Sequence, residues 1–349
     1  MLFGLHTSER QLSAERKHTD VQLSIIIVNY KGWKRLKQCL ESIQKLKPDP
    51  EQTEIIIVDN KSDDGQLSIF KNYFPEFTFH ENSGNTGFAN GCNTGAAMAK
   101  GLNLLFLNPD TIMNAEALKG LTQLTQLLNN RLMISCEQVN DNGRDTHPYG
   151  YFLELKTLHP LARTLRNFIT GQPKLFTLPS GQNAFSPEWI SGSLILISKN
   201  AFNELGGWDE NFWMYYEDMD LCKRFRNLGG SIALVTDFSV VHNHGGASRI
   251  NSATSALTKA EVMISRHVYI QKHLKGINKM LAHLYLIINN LFLEPLFFAV
   301  IGLILFFNPK IFAYTLRYTG MVKYYANAVQ AKTWLSPRSV HFSKNQSVG

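Results

Sequence analysis

Two short apolar runs near the amino end, Leu23–Tyr30 (LSIIIVNY) and Glu54–Val58 (EIIIV), constrain the fold more than any other feature of this 349-residue sequence. Each is nearly continuous in β-branched residues instead of alternating, the pattern of a strand covered on both faces of a parallel sheet. Between them, Leu36, Leu40 and Ile43 recur at helical spacing within a segment from about Trp33 to Leu46. Strand, helix and strand in that order make a βαβ unit, and such sheets bind ligands beyond the carboxyl ends of their strands. Asp59 stands at one of those ends. It reads two ways: Asp59-Asn60 forms an Asx turn, or the acid accepts hydrogen bonds from a base or ribose. The turn after the first strand, Tyr30-Lys31-Gly32-Trp33, holds no GxGxxG, which argues against a dinucleotide-binding dehydrogenase.

A third run, Leu102–Leu107, ends in Asn108-Pro109-Asp110. A carboxylate at that place, beside a diphosphate, suits Mg²⁺ or Mn²⁺, hard cations that take oxygen ligands; a plain turn of the same composition is the alternative. Ahead of it, Asn82 to Ala97 is rich in glycine and asparagine, including Asn85, Gly87 and Asn93. Glycines allow close backbone approach and asparagine amides reach sugar hydroxyls. A loop leading into a closely packed helix explains the same residues equally well. Trp189–Ile197 (WISGSLILI) restores a strand, with Ser191-Gly192-Ser193 at its start, and a short helix is expected over Lys199–Leu205. Ser231–Val241 reads as further strand, running into His242-Asn243-His244-Gly245-Gly246. Histidines there are either structural or place an imidazole at a metal or phosphate. Residues 140–187 are the least patterned part, with a basic stretch through Arg163 and Arg166 and with Pro173, Pro179 and Pro187: ordinary loops, or an acceptor-side or membrane-side insertion.

The densest chemistry lies in Gly206 to Arg224 (GGWDENFWMYYEDMDLCKR). Asp209, Glu217, Asp218 and Asp220 sit among aromatics, and Leu221, Phe225 and Leu228 continue at helical spacing, so the acids fall where a loop enters a helix. Helix capping accounts for any one of them. Acids crowded beside Trp213, Tyr215 and Tyr216 are also partly desolvated, which raises one pKa towards the range useful to a general base.

A chain that is 44% hydrophobic and 18% charged is globular, with room for one large domain and an appendage. Its net charge of +7 suits a phosphate-rich ligand or an anionic membrane surface. Nucleic acid is not indicated, since the basic residues are scattered and no stripe interleaves them with aromatics. Cys39, Cys92, Cys136 and Cys222 lie far apart, without CxxC or Cys/His spacing, so neither a disulfide framework nor a structural zinc site is expected, and a reducing compartment fits. Residues 1–20 are polar, without a signal-peptide core, and read as a flexible lead-in.

Taken in order, SIIIVNY, IIIVDN, NTGFANGCNTG, FLNPD, ISGSLILI, GGWDENFWMYYEDMDLCKR and VVHNHGGAS, spread over Leu23 to Ser248, resemble the inverting glycosyltransferases of family 2. The likeness is greatest to the rhamnosyltransferase-type enzymes of bacterial cell-surface polysaccharide assembly. The resemblance implies an α/β, GT-A-type (Rossmann-like) domain over 21–250, with a mixed, mostly parallel sheet flanked by helices. It implies a nucleotide-sugar donor, dTDP-rhamnose or a UDP-sugar, and a glycan or polyprenyl-diphosphate-linked acceptor. By the same resemblance Asp218 is the catalytic base, supported by Glu217, and Asp59 and Asn60 hold the base or ribose. Asn85, Gly87, Asn93, Asn108 and Gly192 complete the nucleotide-sugar site. Asp110 is the metal-binding acid of the DxD element, with His242 or His244 beside the metal or diphosphate. Asn108 replaces the first acid of that element, leaving fewer charged ligands. A catalytically silent carbohydrate- or nucleotide-binding module is the competing reading, and a base such as Asp218 would be superfluous in it.

Residues 251–349 form a helical appendage, with a helix expected over Thr254–Leu274. Met280–Phe307 is strongly apolar; as one straight helix it would be ~42 Å long against roughly 30 Å of bilayer core, and a break is expected at Pro295. Lys272, Lys275 and Lys279 precede it, and Lys310, Arg317 and Lys323 follow. Basic residues on both flanks favour a re-entrant hairpin or interfacial helices at the cytoplasmic, inner face of the membrane over a single span. A buried helical hairpin closing the catalytic domain is the alternative.

Overall fold

The computed structural model describes residues 21–159, 161–162, 164–166, 173–243, 251–298 and 309–342. The lead-in read over 1–20, His244 and the apolar residues 299–308 lie outside the described residues.

The opening runs fold as the sequence leads one to expect. β1 (Leu23–Asn29) is buried throughout, α1 covers Trp33–Leu46, and β2 (Thr53–Asp59) pairs parallel to β1 with Asn29 opposite Asp59. α2 (Gln66–Tyr73), β3 (Thr78–Glu81), α3 (Phe88–Met98) and β4 (Asn103–Leu107) follow, then β5 (Thr111–Ile112), α4 (Ala115–Leu124) and β6 (Leu132–Val139). β7 (Tyr149–Gly150), β8 (Phe176–Thr177), β9 (Asn183–Phe185), β10 (Trp189–Ile190) and β11 (Leu194–Ser198) lead to α5 (Lys199–Glu204), α6 (Glu217–Asn227) and β12 (Ser231–His242). The strand order in the main sheet is β3-β2-β1-β4-β11-β6-β12-β9-β8, with β5 paired to β12. β3, β2, β1 and β4 run parallel, as do β6 and β12; β11 is antiparallel to both β4 and β6.

Residues alternate between two cores on the faces of the sheet. Ile25, Ile27, Ile55 and Ile57 meet α1 and α4, while Ile26, Val28, Ile56 and Val58 meet α3 and α6. Full burial of each such side chain is worth about 1.5–3 kcal/mol, which is why neither strand shows a polar alternation. Gly95 lets α3 lie on β1: a Cβ there would stand 2.4 Å from Ile26 Cγ2.

Two expectations are corrected. Trp189–Ile197 is two strands, because Ser191-Gly192-Ser193 turns between them; β10 pairs with β7 in a separate ribbon, and only β11 enters the main sheet. Nor does Pro295 break its helix. α8 (Gly276–Ile288) continues through a π-helical turn at Asn289–Leu293 to Phe298. The widened turn just upstream accommodates the missing N–H and the ring of the proline.

α7 (Ser252–His273), capped by Asn251, and α9 (Pro309–Ala331) lie in the carboxyl-terminal part. Val268, Tyr269 and Ile270 of α7 and Ala282 and Leu286 of α8 belong to the same core as Ile195, Trp208 and Phe225, so that core is continuous across residue 250. After α9 the chain returns to the acidic stretch, where Ser339 Oγ donates to the Glu210 carbonyl and Arg338 stacks over Trp213.

Candidate active site

β1, β2 and β4 end at one edge of the sheet, and the candidate residues gather there in two groups. The first surrounds Asp110. β5 pairs with β12, Thr111 opposite His242, and so draws the end of β12 against the Asn108-Pro109-Asp110 turn. An irregularity between Val235 and Ser239 shifts β12 onto that register. His242 Nε2 then stands 3.2 Å from Asp110 Oδ1 and 3.4 Å from Asn108 Nδ2. Its Nδ1 lies 2.8 Å from Gln138 Oε1, which also accepts from Ser193 Oγ. A carboxamide oxygen only accepts, so Nδ1 carries a hydrogen; Nε2 then pairs with the Asp110 carboxylate either directly, as the N–H of an imidazolium, or, as a lone pair, through a shared cation. Ligands about 2.1 Å from one ion and at right angles are about 3 Å apart, so the pair fits two adjacent ligands of a divalent cation. Among the described residues no third His, Cys, Asp or Glu joins them.

Arg35, in the first turn of α1, was not singled out from the sequence. Its Nη1 donates to the Asn243 carbonyl at 2.7 Å and lies 3.4 Å from Asp110 Oδ2. A signal existed. Lys34 and Arg35 occupy a first helical turn that holds no acid, where the helix dipole disfavours cations unless an anion is near.

The second group is carried by α6. Tyr215 and Tyr216 both take left-handed backbone conformations, φ 70° and 67°, and they place Glu217 and Asp218 in the first turn. Asp218 Oδ2 accepts from the Gly192 amide at 3.1 Å, and Oδ1 from the Met219 amide at 2.7 Å. Burial raises its pKa, and those amides pull against the rise. Glu217 is buried, and its Oε2 has no partner among the described residues. Burial, with the Asp218 charge beside it, pushes its pKa well up. Glu217 is pushed up further, so Asp218 is the more easily ionised of the two. Asp218 is also the less buried.

The other two acids of the stretch serve the structure. Burial pushes Asp220 up, but the His273 hydrogen bond, Arg224 and Lys272 outweigh it and bring its pKa down to about 2. Arg224 Nε, Lys272 Nζ and His273 Nε2 each lie 2.7 Å from its oxygens, and Lys272 also reaches Asp209 at 2.5 Å. Ser265 Oγ donates to the Met214 carbonyl at 2.7 Å and Arg266 Nε to the Tyr216 hydroxyl at 2.9 Å. α7 therefore clamps both sides of the turn that presents Asp218.

Several candidates occupy scaffold positions. Asp59 is fully buried: Asn29 Nδ2 donates to Oδ1 at 3.0 Å, the Ser62 hydroxyl to the same oxygen at 2.6 Å, and the Ser62 amide to Oδ2 at 2.8 Å. Its carboxylate closes a turn, which the Asp59-x-x-Ser62 spacing foreshadows. Asn60 donates to the Gly87 carbonyl and accepts from Asn82. Asn93 binds the Trp208 backbone and Glu210, and Asn90 binds the other oxygen of Glu210, so α3 is fastened to the acidic stretch. Gly87, at φ 96°, permits contact with Trp213, whose carbonyl oxygen would lie 2.2 Å from any Cβ there. Asn85 is half-buried, and its carbonyl accepts from Trp213 Nε1. A cavity of about 450 Å³ bounded by Asn93, Gly207, Asp209, Arg224, Lys272 and His341 includes neither Asp110 nor Asp218.

A carboxylate and imidazole at the strand ends and an acid pair on α6 thus meet at Gly192-Ser193, on a mixed, mostly parallel sheet of GT-A type. Residues 24–182 match the family described as Glycosyl transferase family 2; the match ends before Glu217, Asp218 and His242. Two curated relatives align broadly. Low-salt glycan biosynthesis hexosyltransferase Agl10 of Haloferax volcanii is 28% identical over 230 residues, 63% of this chain and 67% of its own. Rhamnosyltransferase WbbL of Escherichia coli is 28% identical over 229 residues, 62% and 82% of the respective chains. The N-acetylglucosaminyl-diphospho-decaprenol L-rhamnosyltransferase of Mycobacterium tuberculosis is 40% identical over 55 residues, 16% of this chain and 18% of its own. The chain is a glycosyltransferase of glycan synthesis, similar to the rhamnosyltransferase-like branch of family 2.

The buried Glu217 carries a prediction about stability. Its folded pKa lies above the ordinary 4.5, so between 4.5 and the raised value the unfolded chain has lost a proton that the folded chain keeps. Unfolding free energy then falls as pH rises through that window. Urea titrations of Glu217→Gln are expected to show a shallower decline above pH 4.5 than wild type; parallel curves would mean that Glu217 does not hold its proton.

Proposed function

We propose that this protein transfers L-rhamnose from dTDP-rhamnose, with inversion, to a lipid-linked or polysaccharide acceptor at the inner face of the cell membrane. The single observation that carries the proposal is that both groups meet at Gly192-Ser193: the Gly192 amide donates to Asp218, while the Ser193 carbonyl accepts from the Asn108 amide and its hydroxyl donates to Gln138, the partner of His242.

Asp218 is the base. Held by the amides of Gly192 and Met219, its carboxylate removes the proton from the acceptor hydroxyl as that oxygen attacks the anomeric carbon. Glu217, protonated behind it, adds no second negative charge to repel the attacking oxygen. Arg35 faces the departing diphosphate with the positive amino end of α1. Asp110 and His242 would hold Mg²⁺ or Mn²⁺, which supplies neutralisation of the charge that gathers on the leaving group. No covalent glycosyl-enzyme is involved, so one carboxylate base is enough.

The rhamnose donor is supported by the names of the Escherichia coli and Mycobacterium tuberculosis relatives. The Haloferax volcanii relative is named a hexosyltransferase, and a UDP-hexose or UDP-N-acetylhexosamine donor is the second reading. The Mycobacterium tuberculosis name also supports a diphosphate-linked polyprenyl acceptor.

Membrane attachment rests on a helix whose outward face is apolar, although Ala282 and Leu286 already fill its inward face. Along Gly276–Phe298, with a mean hydropathy of 1.4, His283 and Asn290 face inward, while Ile277, Leu281, Leu284, Ile288, Phe292 and Leu296 face outward. Phe292 is 64% exposed and Leu296 65%. A soluble helix places its apolar residues the other way round. Lys275 and Lys279, at the amino end of the same helix, suit an anionic headgroup layer.

Two experiments test the proposal. Asp218→Asn should reduce rhamnosyl transfer ~10²–10⁴-fold, the usual weight of a general base, while leaving nucleotide-sugar affinity unchanged; equal loss of both would remove Asp218 from the base role. In liposome flotation, Phe292→Glu combined with Leu296→Glu should lower partitioning about 10-fold or more, since each side chain is worth about 2 kcal/mol when buried. Unchanged flotation would remove the membrane from the account.

A further inference from the structure

Arg266 sits where the base-bearing turn meets the apolar helix. Residue by residue, α7 changes partner there: Ser265 binds the Met214 carbonyl, Arg266 binds the Tyr216 hydroxyl, and His267 lies 2.8 Å, Nδ1 to Nδ1, from His283 of α8. One turn of helix thus touches the segment that presents Asp218 on one side and the outward-facing apolar helix on the other.

The guanidinium is underused. It carries five N–H donors, and among the described residues only Nε has an acceptor, the Tyr216 oxygen at 2.9 Å. Both Nη groups stand idle in a half-buried side chain. Burial pulls its basicity down, but the Tyr216 hydroxyl, Glu294 and Tyr285 push it up, and the net shift is upward, so it stays cationic. Glu294 is shared with Arg317, whose Nη2 lies 2.6 Å from its Oε1. A half-buried cation whose planar fork no protein acceptor fills is open to an anion, and the fork matches a phosphate.

We infer that Arg266 binds the phosphate of a membrane-embedded acceptor, at the diphosphate that joins the sugar to its lipid. The inference rests on the lipid-linked acceptor proposed above. Glu294 lies near Arg266 and is flanked along the same helix by the exposed Phe292, Leu293, Leu296 and Phe297. With those side chains in the acyl boundary, Arg266 stands at the headgroup level, one hydrogen bond from the residue that caps the base-bearing helix. A lipid anchored there would extend its sugar towards Asp218.

The test uses the full chain and phosphatidylcholine vesicles, plain, doped with undecaprenyl diphosphate, or doped with phosphatidylglycerol to equal charge. Wild-type retention should rise at least 5-fold with the diphosphate beyond the phosphatidylglycerol arm. Arg266→Gln should lose that increment and keep its retention on plain vesicles, whereas Tyr216→Phe, which deletes the hydrogen bond and spares the cation, should keep it. An increment that survives Arg266→Gln, vanishes in Tyr216→Phe, is matched by phosphatidylglycerol or is missing in wild type overturns the inference. On the unmutated chain, undecaprenyl diphosphate vesicles should slow phenylglyoxal modification of Arg266, read by mass spectrometry, at least 5-fold relative to plain vesicles; equal rates overturn it as well. Nucleotide-sugar binding measured on the same samples separates the two claims, since a wild type that binds no donor removes the transferase reading whatever the vesicles show.

Discussion

Two successive tyrosines in left-handed backbone conformation hold this site together. Each such conformation costs an L-residue about 1–2 kcal/mol, and Tyr216, at the N-cap of α6, makes no side-chain cap hydrogen bond to compensate. The compensation comes from α7. Ser265 fixes the carbonyl just before the turn, Arg266 fixes the Tyr216 hydroxyl, and Lys272 and His273 fix Asp220 one turn into α6. Asp218 points at the Gly192 amide because these contacts permit no other path for the chain. The acid network at Asp220 and the acid pair at Glu217–Asp218 therefore have opposite electrostatics for one purpose. The first is saturated with cations and rigid; the second is left without a cation, so that one of its members stays a usable base.

The same logic sets the donor side. Asp110 is a lone carboxylate between Arg35 and His242, where an acid at position 108 would have added a second negative charge. Asparagine there keeps the sheet edge close to neutral before any cation or diphosphate arrives. Gln138 fixes the imidazole's orientation from behind, so Nε2 is aimed at Asp110.

Much of this was legible in the sequence, and the exceptions share a cause. The strands β1, β2 and β4 declare themselves because burial on both faces leaves no room for polar residues. The loop-to-helix entry at Glu217 declares itself by the shift from aromatic clustering to helical spacing. Side-chain destinations are another matter. Asn60 and Asn93 have the chemistry of sugar ligands, yet they hydrogen-bond to Gly87, Trp208 and Glu210, because an amide serves a backbone carbonyl as readily as a hydroxyl. Asp59 satisfied both of its readings in the sequence, and in the fold it closes a turn. Gln138 and Arg266 left no trace, since each matters only through a partner more than 45 residues away. Pro295 reads as a break only if every turn upstream is α-helical, and the turn at Asn289–Leu293 is not.

The central claim, that the edge bearing Asp110, His242 and Arg35 receives a nucleotide-sugar diphosphate, is tested most directly by calorimetric titration of the full chain with dTDP, UDP and GDP, each with Mn²⁺ and with chelator. The account predicts binding in Mn²⁺, tightest for dTDP, with affinity at least 10-fold lower in chelator. Preference for UDP would retain the site and exchange the donor. Failure of all three nucleotides to bind under either condition would contradict the account.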